Sequence, residues 1–88
     1  MNLQQINRIE SIINGTCIEE SENSEKILNS FQSSYGIFFI EQNKRNRNAE
    51  DKPIANYTVC LEDIKDWHDF NDIRDVIIYI EEFVKNKK

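Results

Sequence analysis

Residues 35–40 read YGIFFI, which is the most strand-like stretch of the chain. Both of its alternating faces are apolar, because Ile37 and Phe39 occupy one face and Phe38 and Ile40 occupy the other. A strand that is apolar on both faces is either central to a two-layer core or covered by a partner. The sequence therefore predicts a buried strand here, around which the rest of the chain is arranged.

A second strand is predicted at residues 57–61, where Tyr57, Val59 and Leu61 repeat with a period of two. The polar segment 43–55 separates the two predicted strands. It contains four basic residues, Lys44, Arg45, Arg47 and Lys52, and acidic residues lie among them. We expect a mobile loop joining two antiparallel strands, with bases that are solvated rather than bound to phosphate.

Amphipathic helices are predicted at the two ends of the chain. The apolar stripe of the first helix, within residues 2–14, contains Leu3, Ile6, Ile9 and Ile13. Gly15 follows it and is suited to a left-handed cap position. The buried stripe of the last helix contains Ile73, Val76, Ile77, Ile80, Phe83 and Val84. Asp69 or Asn71 is expected to cap this helix.

Residues 16–34 are compatible with two interpretations. Thr16 begins a β-prone stretch, but Thr16 and Glu19 could instead form a helical capping box, so residues 16–22 stay open between strand and helix. Further along, Ile27, Leu28 and Phe31 have the spacing of one helical face. We predict a short helix over residues 24–33, with Ser24 as its cap.

The length of 88 residues is that of one domain, residues 1–88. The predicted fold class is α+β. It comprises an N-terminal helix, an antiparallel sheet of two or three strands, and a C-terminal amphipathic helix packed on the sheet. The net charge of −5 disfavours direct binding to nucleic acid, since phosphate backbones repel an acidic protein.

The N-terminal sequence after Met1 has neither the basic nor the apolar region of a signal peptide. We therefore expect a cytoplasmic protein in which Cys17 and Cys60 are reduced thiols. No apolar run approaches the roughly 18 residues that would suggest a membrane span. The abundance of Ile, Asn and Lys, which AT-rich codons encode, suggests a low-GC bacterium or a phage of one as the source.

Aspartates recur at every third position from residue 63 to residue 75: Asp63, Asp66, Asp69, Asp72 and Asp75. Helix capping and solvation account for Asp69 and Asp72 but leave Asp63 and Asp66 unexplained. The alternative interpretation is an acidic docking surface that meets a basic groove on a partner. Trp67, expected in a polar turn among these acids, is either the apolar anchor of that surface or a lid over the sheet edge.

No catalytic, cofactor or metal site is predicted. Asp66, His68, Asp69 and Asp72 include metal-ligand types, but one histidine with carboxylates lacks the ligand spacing of a zinc site. With two glycines the chain has no phosphate-binding loop, and any nucleophile would depend on His68 as its base. We expect a protein that is not an enzyme.

A second apolar surface is suggested by Ile78, which lies opposite the buried stripe of the last helix, with Tyr79 at its flank. Phe38 and Ile40 also need cover. Self-association as a homodimer through Ile78 and Tyr79 is one way to provide it.

These features favour a small acidic protein-binding module. We expect an inhibitor that acts as a nucleic-acid mimic and occupies a basic, nucleic-acid-binding surface of a partner protein. Phage anti-defence proteins of the anti-CRISPR type and immunity proteins of nuclease toxins act in this way, and the analogy rests on charge and size. The alternative is a non-catalytic structural or accessory protein that acts as a homodimer.

Overall fold

The computed structural model describes residues 1–45, 50, 55–61 and 67–87. The elements follow in the order α1 (Leu3–Ile13), β1 (Thr16–Glu22), β2 (Lys26–Ser33), β3 (Gly36–Asn43), β4 (Tyr57–Leu61), β5 (Trp67–Phe70) and α2 (Ile73–Lys87). The α+β class with a helix at each end is confirmed. The predicted strand number was wrong, because the sheet has five strands rather than two or three. No helix in these ranges is both long enough and apolar enough to span a membrane.

The five strands form an antiparallel meander in which each strand pairs with the next one along the chain. Local hydrogen bonds build the first two turns. The Asn23 side chain accepts bonds from the backbone N–H groups of Glu25 and Lys26 at 2.8 and 2.9 Å. The Ser33 hydroxyl accepts from the Tyr35 N–H and donates to the Gly36 carbonyl, both at 3.1 Å. Such side-chain-to-backbone bonds favour turns, so consecutive strands become neighbours.

The helix predicted over residues 24–33 was wrong, and this segment forms β2. Its short apolar cluster fits a helical face and a pleated strand equally well, so periodicity alone could not decide. Pairing with β1 on one side and β3 on the other decides it, because both ladders use the backbone groups that a helix would bond internally. Residues 16–22 are likewise a strand, with a register irregularity between Cys17 and Glu19.

The two predicted strands in the middle of the chain are confirmed, as is their antiparallel pairing, in which Phe38 lies opposite Leu61. β3 runs on to Asn43, whose backbone N–H donates to the Asn56 carbonyl at 2.9 Å. Most of the predicted mobile loop lies outside the described residues, namely 46–49 and 51–54. Arg47 and Lys52 of the predicted basic group are among those residues.

The main core lies between one face of the sheet and the two helices. Its buried side chains are Ile9, Ile13, Phe31, Phe38, Ile40, Val59, Leu61, Val76, Ile77, Ile80 and Val84. The α2 stripe is confirmed, with Ile73 and Phe83 partly buried at its margins. The Phe83 ring packs edge-on against Phe38, with 5.4 Å between the ring centroids. Leu3 was wrongly placed in the α1 stripe, since it is 72% exposed in the first turn.

The predicted left-handed position after α1 was wrong by one residue. Asn14 adopts that conformation (φ 51°, ψ 52°), which asparagine tolerates better than most residues. Gly15 is required for another reason, because a Cβ there would collide with the backbone carbonyl of Gln32 in β2. The Glu10 carboxylate accepts a 2.8 Å bond from the Cys17 N–H, which further ties the end of α1 to the sheet.

Candidate partner-binding surface

The sheet has two faces with different surroundings. Residues that face the helices include Phe31, Phe38 and Val59, which are fully buried in the core. Alternate residues of the same strands point the other way, because side chains alternate along a strand. We call the second surface the open face. Its central part consists of two cross-strand rows.

The first row of the open face is mainly apolar and aromatic. Strand register places Ser30, Phe39, Cys60 and Trp67 side by side across β2 to β5. Cys60 is 5% exposed between the two aromatic positions, whereas Trp67 on the last strand is 49% exposed. The row therefore ends at a large aromatic side chain that solvent or a partner can reach.

The second row of the open face carries charge. Register aligns Leu28, Glu41, Thr58 and Asp69 across the same four strands. The Thr58 hydroxyl donates to Asp69 Oδ1 at 3.1 Å, which holds the carboxylate against its neighbouring strand. Glu41 forms a 3.4 Å salt bridge to Lys26. The carboxylates thus lie two residues along the strands from the aromatic row, on the same face of the sheet.

Of the five predicted aspartates, the structure describes Asp69, Asp72 and Asp75, which have different surroundings. Asp63 and Asp66 lie outside the described residues, and their predicted role is unchanged. Asp69 was expected in a turn but lies in β5, on the open face beside Trp67. Asp75 lies in the exposed first turn of α2. Among the described members of the predicted surface, Trp67 and Asp69 are the two that the fold places together.

Asp72 caps α2, so the prediction that Asp69 or Asn71 does so was wrong. Its Oδ1 accepts a 2.9 Å bond from the Arg74 backbone N–H, and its carbonyl accepts from Asp75 and Val76. These are the hydrogen bonds of an N-cap. The Arg74 N–H, followed by the Arg74 guanidinium at 3.2 Å, holds the pKa of Asp72 below its ordinary value. Asp72 is thus engaged within its own chain.

The expectation that Trp67 lies in a polar turn was wrong, because a fifth strand begins at this residue. The alternation of that strand separates Trp67 from His68. His68 pairs with Val59 and faces α2, where its ring lies 5.1 Å from that of Tyr79. Phe70 lies on the same side of the sheet, and its ring centroid is 5.2 Å from that of Tyr79. The aromatic residues of β5 therefore lie on both faces of the sheet, with Trp67 on the open face and His68 and Phe70 facing α2.

The predicted self-association residues differ in their surroundings. Ile78 is 55% exposed on the outer side of α2. Tyr79 is partly buried and packs against the core beside β5. Phe38 and Ile40, which were expected to need a partner, are covered by the helices of the same chain. Their neighbours Ile37 and Phe39 lie on the open face, as does Glu41 further along β3.

The other charged side chains near the sheet are dispersed among the residues that the structure describes. Lys44 pairs with Glu22 at 3.4 Å, near the open edge of the sheet. The acids Glu19, Glu20 and Glu22 belong to the edge strand β1, where their charge discourages edge-to-edge pairing with another chain. Arg45 is exposed just after β3. These residues form no compact phosphate site within the described part of the chain.

Neither cysteine forms a disulfide. Register places Cys17 on the helix-facing side and Cys60 on the open face, three strands apart, so the two sulfur atoms cannot meet. Among the described residues, no group of histidine, cysteine and carboxylate side chains is arranged to hold a metal ion.

The sequence prediction missed Phe39, Glu41 and Thr58 as members of a shared surface. The sequence contained a signal, because residues 37–40 are apolar on both faces of the strand. Two helices can cover only one face of a sheet, so the other apolar face must remain uncovered by them. Assigning β2 as a helix removed that strand from the sheet. The open face was then too narrow to be recognised as a surface.

Comparisons with protein-family models, with curated proteins and with solved structures found no match to this chain. Its function is therefore inferred from its own residues.

Proposed function

We propose that this protein is a non-catalytic protein-binding module that uses its open face to occupy a basic surface of a partner protein. The observation that carries the proposal is that a half-exposed Trp67 and Asp69 lie next to each other on one face of β5. Tryptophan is enriched at the energetic centres of protein interfaces. An aromatic row with carboxylates along one side combines apolar contact area with charge selectivity.

Charge favours a basic protein over nucleic acid as the partner. Among the described strand residues of the open face, Glu19, Glu41 and Asp69 contribute three carboxylates, against the ammonium of Lys26. The whole chain has a net charge of −5. A phosphate backbone would be repelled, whereas a basic protein groove would be attracted over distances of about 10 Å at 0.1 M salt.

The partner class that fits this charge is a nucleic-acid-handling protein, whose basic groove the module would block. The proposed action is inhibition in a reducing cytoplasm, as in anti-CRISPR-like phage proteins or nuclease immunity proteins. The support for this part is charge and size by analogy. The predicted partner-binding role of Asp63 and Asp66 is part of this proposal.

Capture of partners from a nuclease-treated lysate of low-GC bacteria tests the proposal. We expect at least one protein to bind the wild type, to elute as salt is raised, and to be lost with Asp69→Lys. Glu82→Lys is the matched control, because it makes the same charge change at an exposed position of α2. Equal capture by the wild type and Asp69→Lys would exclude the open face as the binding surface.

The captured protein also allows a direct test of inhibition. Adding the module should release labelled nucleic acid from that partner, and Asp69→Lys should release less at equal concentration. If nucleic acid and the module bind the partner together, the module does not occupy the nucleic-acid groove, and the inhibitory role is wrong.

The second candidate function is a structural homodimer, which the exposure of Ile78 favours. Sedimentation of the wild type and of Ile78→Glu tests it. A wild-type dimer that becomes a folded monomer in the variant would support this function. A monomeric wild type would exclude it.

A further inference from the structure

Trp67 and Asp69 are two residues apart on β5 and share the open face. Their Cα atoms are therefore separated by roughly 6.5–7 Å along the strand. The indole is 49% exposed, and the carboxylate is fixed by the 3.1 Å hydrogen bond from Thr58. An accessible aromatic surface and an oriented carboxylate thus lie side by side on a strand.

The carboxylates of the second row differ in their ion pairing. Glu41 is paired with Lys26 at 3.4 Å. The salt bridges between described residues include none to Asp69. Thr58 occupies one lone pair of Oδ1, and the structure shows no other hydrogen bond from a described residue to the Asp69 carboxylate, which has further lone pairs for a donor. Asp69 is therefore the carboxylate of this row that suits a cation from outside the chain.

We propose that Trp67 and Asp69 receive an arginine side chain of the partner protein. This inference rests on the proposed function and names the chemistry that the open face recognises. The planar guanidinium stacks on the indole while its N–H groups donate to the Asp69 carboxylate. The separation of the two side chains suits a group that is both flat and able to donate along its edge. Phe39, two strands away in the same row, extends the apolar surface beside the arginine stem.

Competing occupants fit this pair less well. The lysine ammonium is compact and strongly hydrated, so it gains less from an aromatic face and cannot bind a carboxylate through a planar fork. Single-stranded nucleic acid could stack a base on Trp67, but its phosphates would approach Asp69 and Glu41. A second copy docked face to face would oppose these same carboxylates to each other.

The fluorescence of Trp67 provides a direct probe, because it is the sole tryptophan of the chain. The full-length protein is titrated with a peptide of alternating arginine and glycine, and with its lysine counterpart of equal length and charge. Oligothymidine serves as the nucleic-acid probe. We expect the arginine peptide to change the emission at about two- to fivefold lower concentration than the lysine peptide. Oligothymidine should produce no saturable change.

Two isosteric variants locate the effect. Asp69→Asn should weaken binding of the arginine peptide and reduce its advantage over the lysine peptide. Glu82→Gln, which removes one charge from an exposed position of α2, should leave both titrations unchanged. Circular dichroism of each variant confirms that it is folded.

The inference is overturned if both peptides act at the same concentration, if neither alters the emission, or if Asp69→Asn binds as the wild type does. A saturable response to oligothymidine would favour base stacking instead. The peptide titrations test the arginine site alone. The proposed function fails separately, if the lysate yields no partner whose binding is salt-sensitive and is lost in Asp69→Lys. A partner captured through Asp69 without an arginine preference would preserve the function and reject the arginine site.

Discussion

Asp69 and Asp72 are three positions apart and act in different ways. Asp69 presents its carboxylate at the open face, whereas Asp72 bonds the first turn of α2. The spacing of three suggested a shared surface, yet β5 ends at Phe70, between these residues, and α2 begins at Ile73, directly after Asp72. A sequence period has a fixed spatial meaning only within one element. The residue types were therefore recognisable from sequence, but the division of their roles was not.

Replacing Asp72 tests its capping role. We expect Asp72→Ala to lower the melting temperature at pH 7 by about 4–8 °C, the range typical of a lost cap in a domain of this size. Asp72→Asn should lose less, because asparagine also caps helices. Thermal unfolding followed by circular dichroism measures both changes. A melting temperature of Asp72→Ala equal to that of the wild type would mean that the side chain does not stabilise the helix.

The capping contribution of Asp72 also depends on pH. Its folded-state pKa is lowered by the Arg74 N–H and guanidinium. The associated stability is therefore fully present above the ordinary carboxyl pKa of 3.8 and is lost as pH falls through the lowered folded-state value. The difference in melting temperature between the wild type and Asp72→Ala should narrow in that acid range. A difference that stays constant would exclude the carboxylate charge as its cause.

At the scale of elements, long periodic patterns were predictable and short ones were not. The α2 stripe spans more than two turns, and its buried positions were identified correctly. The apolar cluster of β2 spans one turn, so helical and extended interpretations fitted it equally. The neighbouring strands decided the outcome by pairing with both of its edges. That information lies in distant segments and is absent from the local pattern.

Adjacent phenylalanines in β3 test the two-sided character of this strand. Phe38 is fully buried in the helix-facing core, whereas Phe39 lies partly exposed on the open face. Phe38→Ala should cost about 3–5 kcal/mol of unfolding free energy, the usual range for a buried phenylalanine. Phe39→Ala should cost no more than about 1–2 kcal/mol, as at an ordinary partly exposed position. Urea denaturation measures both, and equal costs would show that the open face is a second core.

At the scale of the whole molecule, two helices cover one face of a five-stranded sheet. The class and the positions of the terminal helices followed from hydrophobic periodicity. The open face did not, because recognising it requires all five strands and their register. Once the register is known, a row containing Phe39 and Trp67 and a row containing Glu41 and Asp69 become adjacent. The arrangement favours a binding surface on the sheet rather than on the helices.

The most direct test is to map the interface on the labelled protein by amide chemical shifts, using the partner captured from the lysate. We expect the perturbed amides to belong to β3, β4 and β5 and to be centred on Trp67 and Asp69. The amides of α2 around Ile78 and Glu82 should change little. Perturbations centred on α2, with β5 unaffected, would contradict the assignment of the open face as the partner-binding surface.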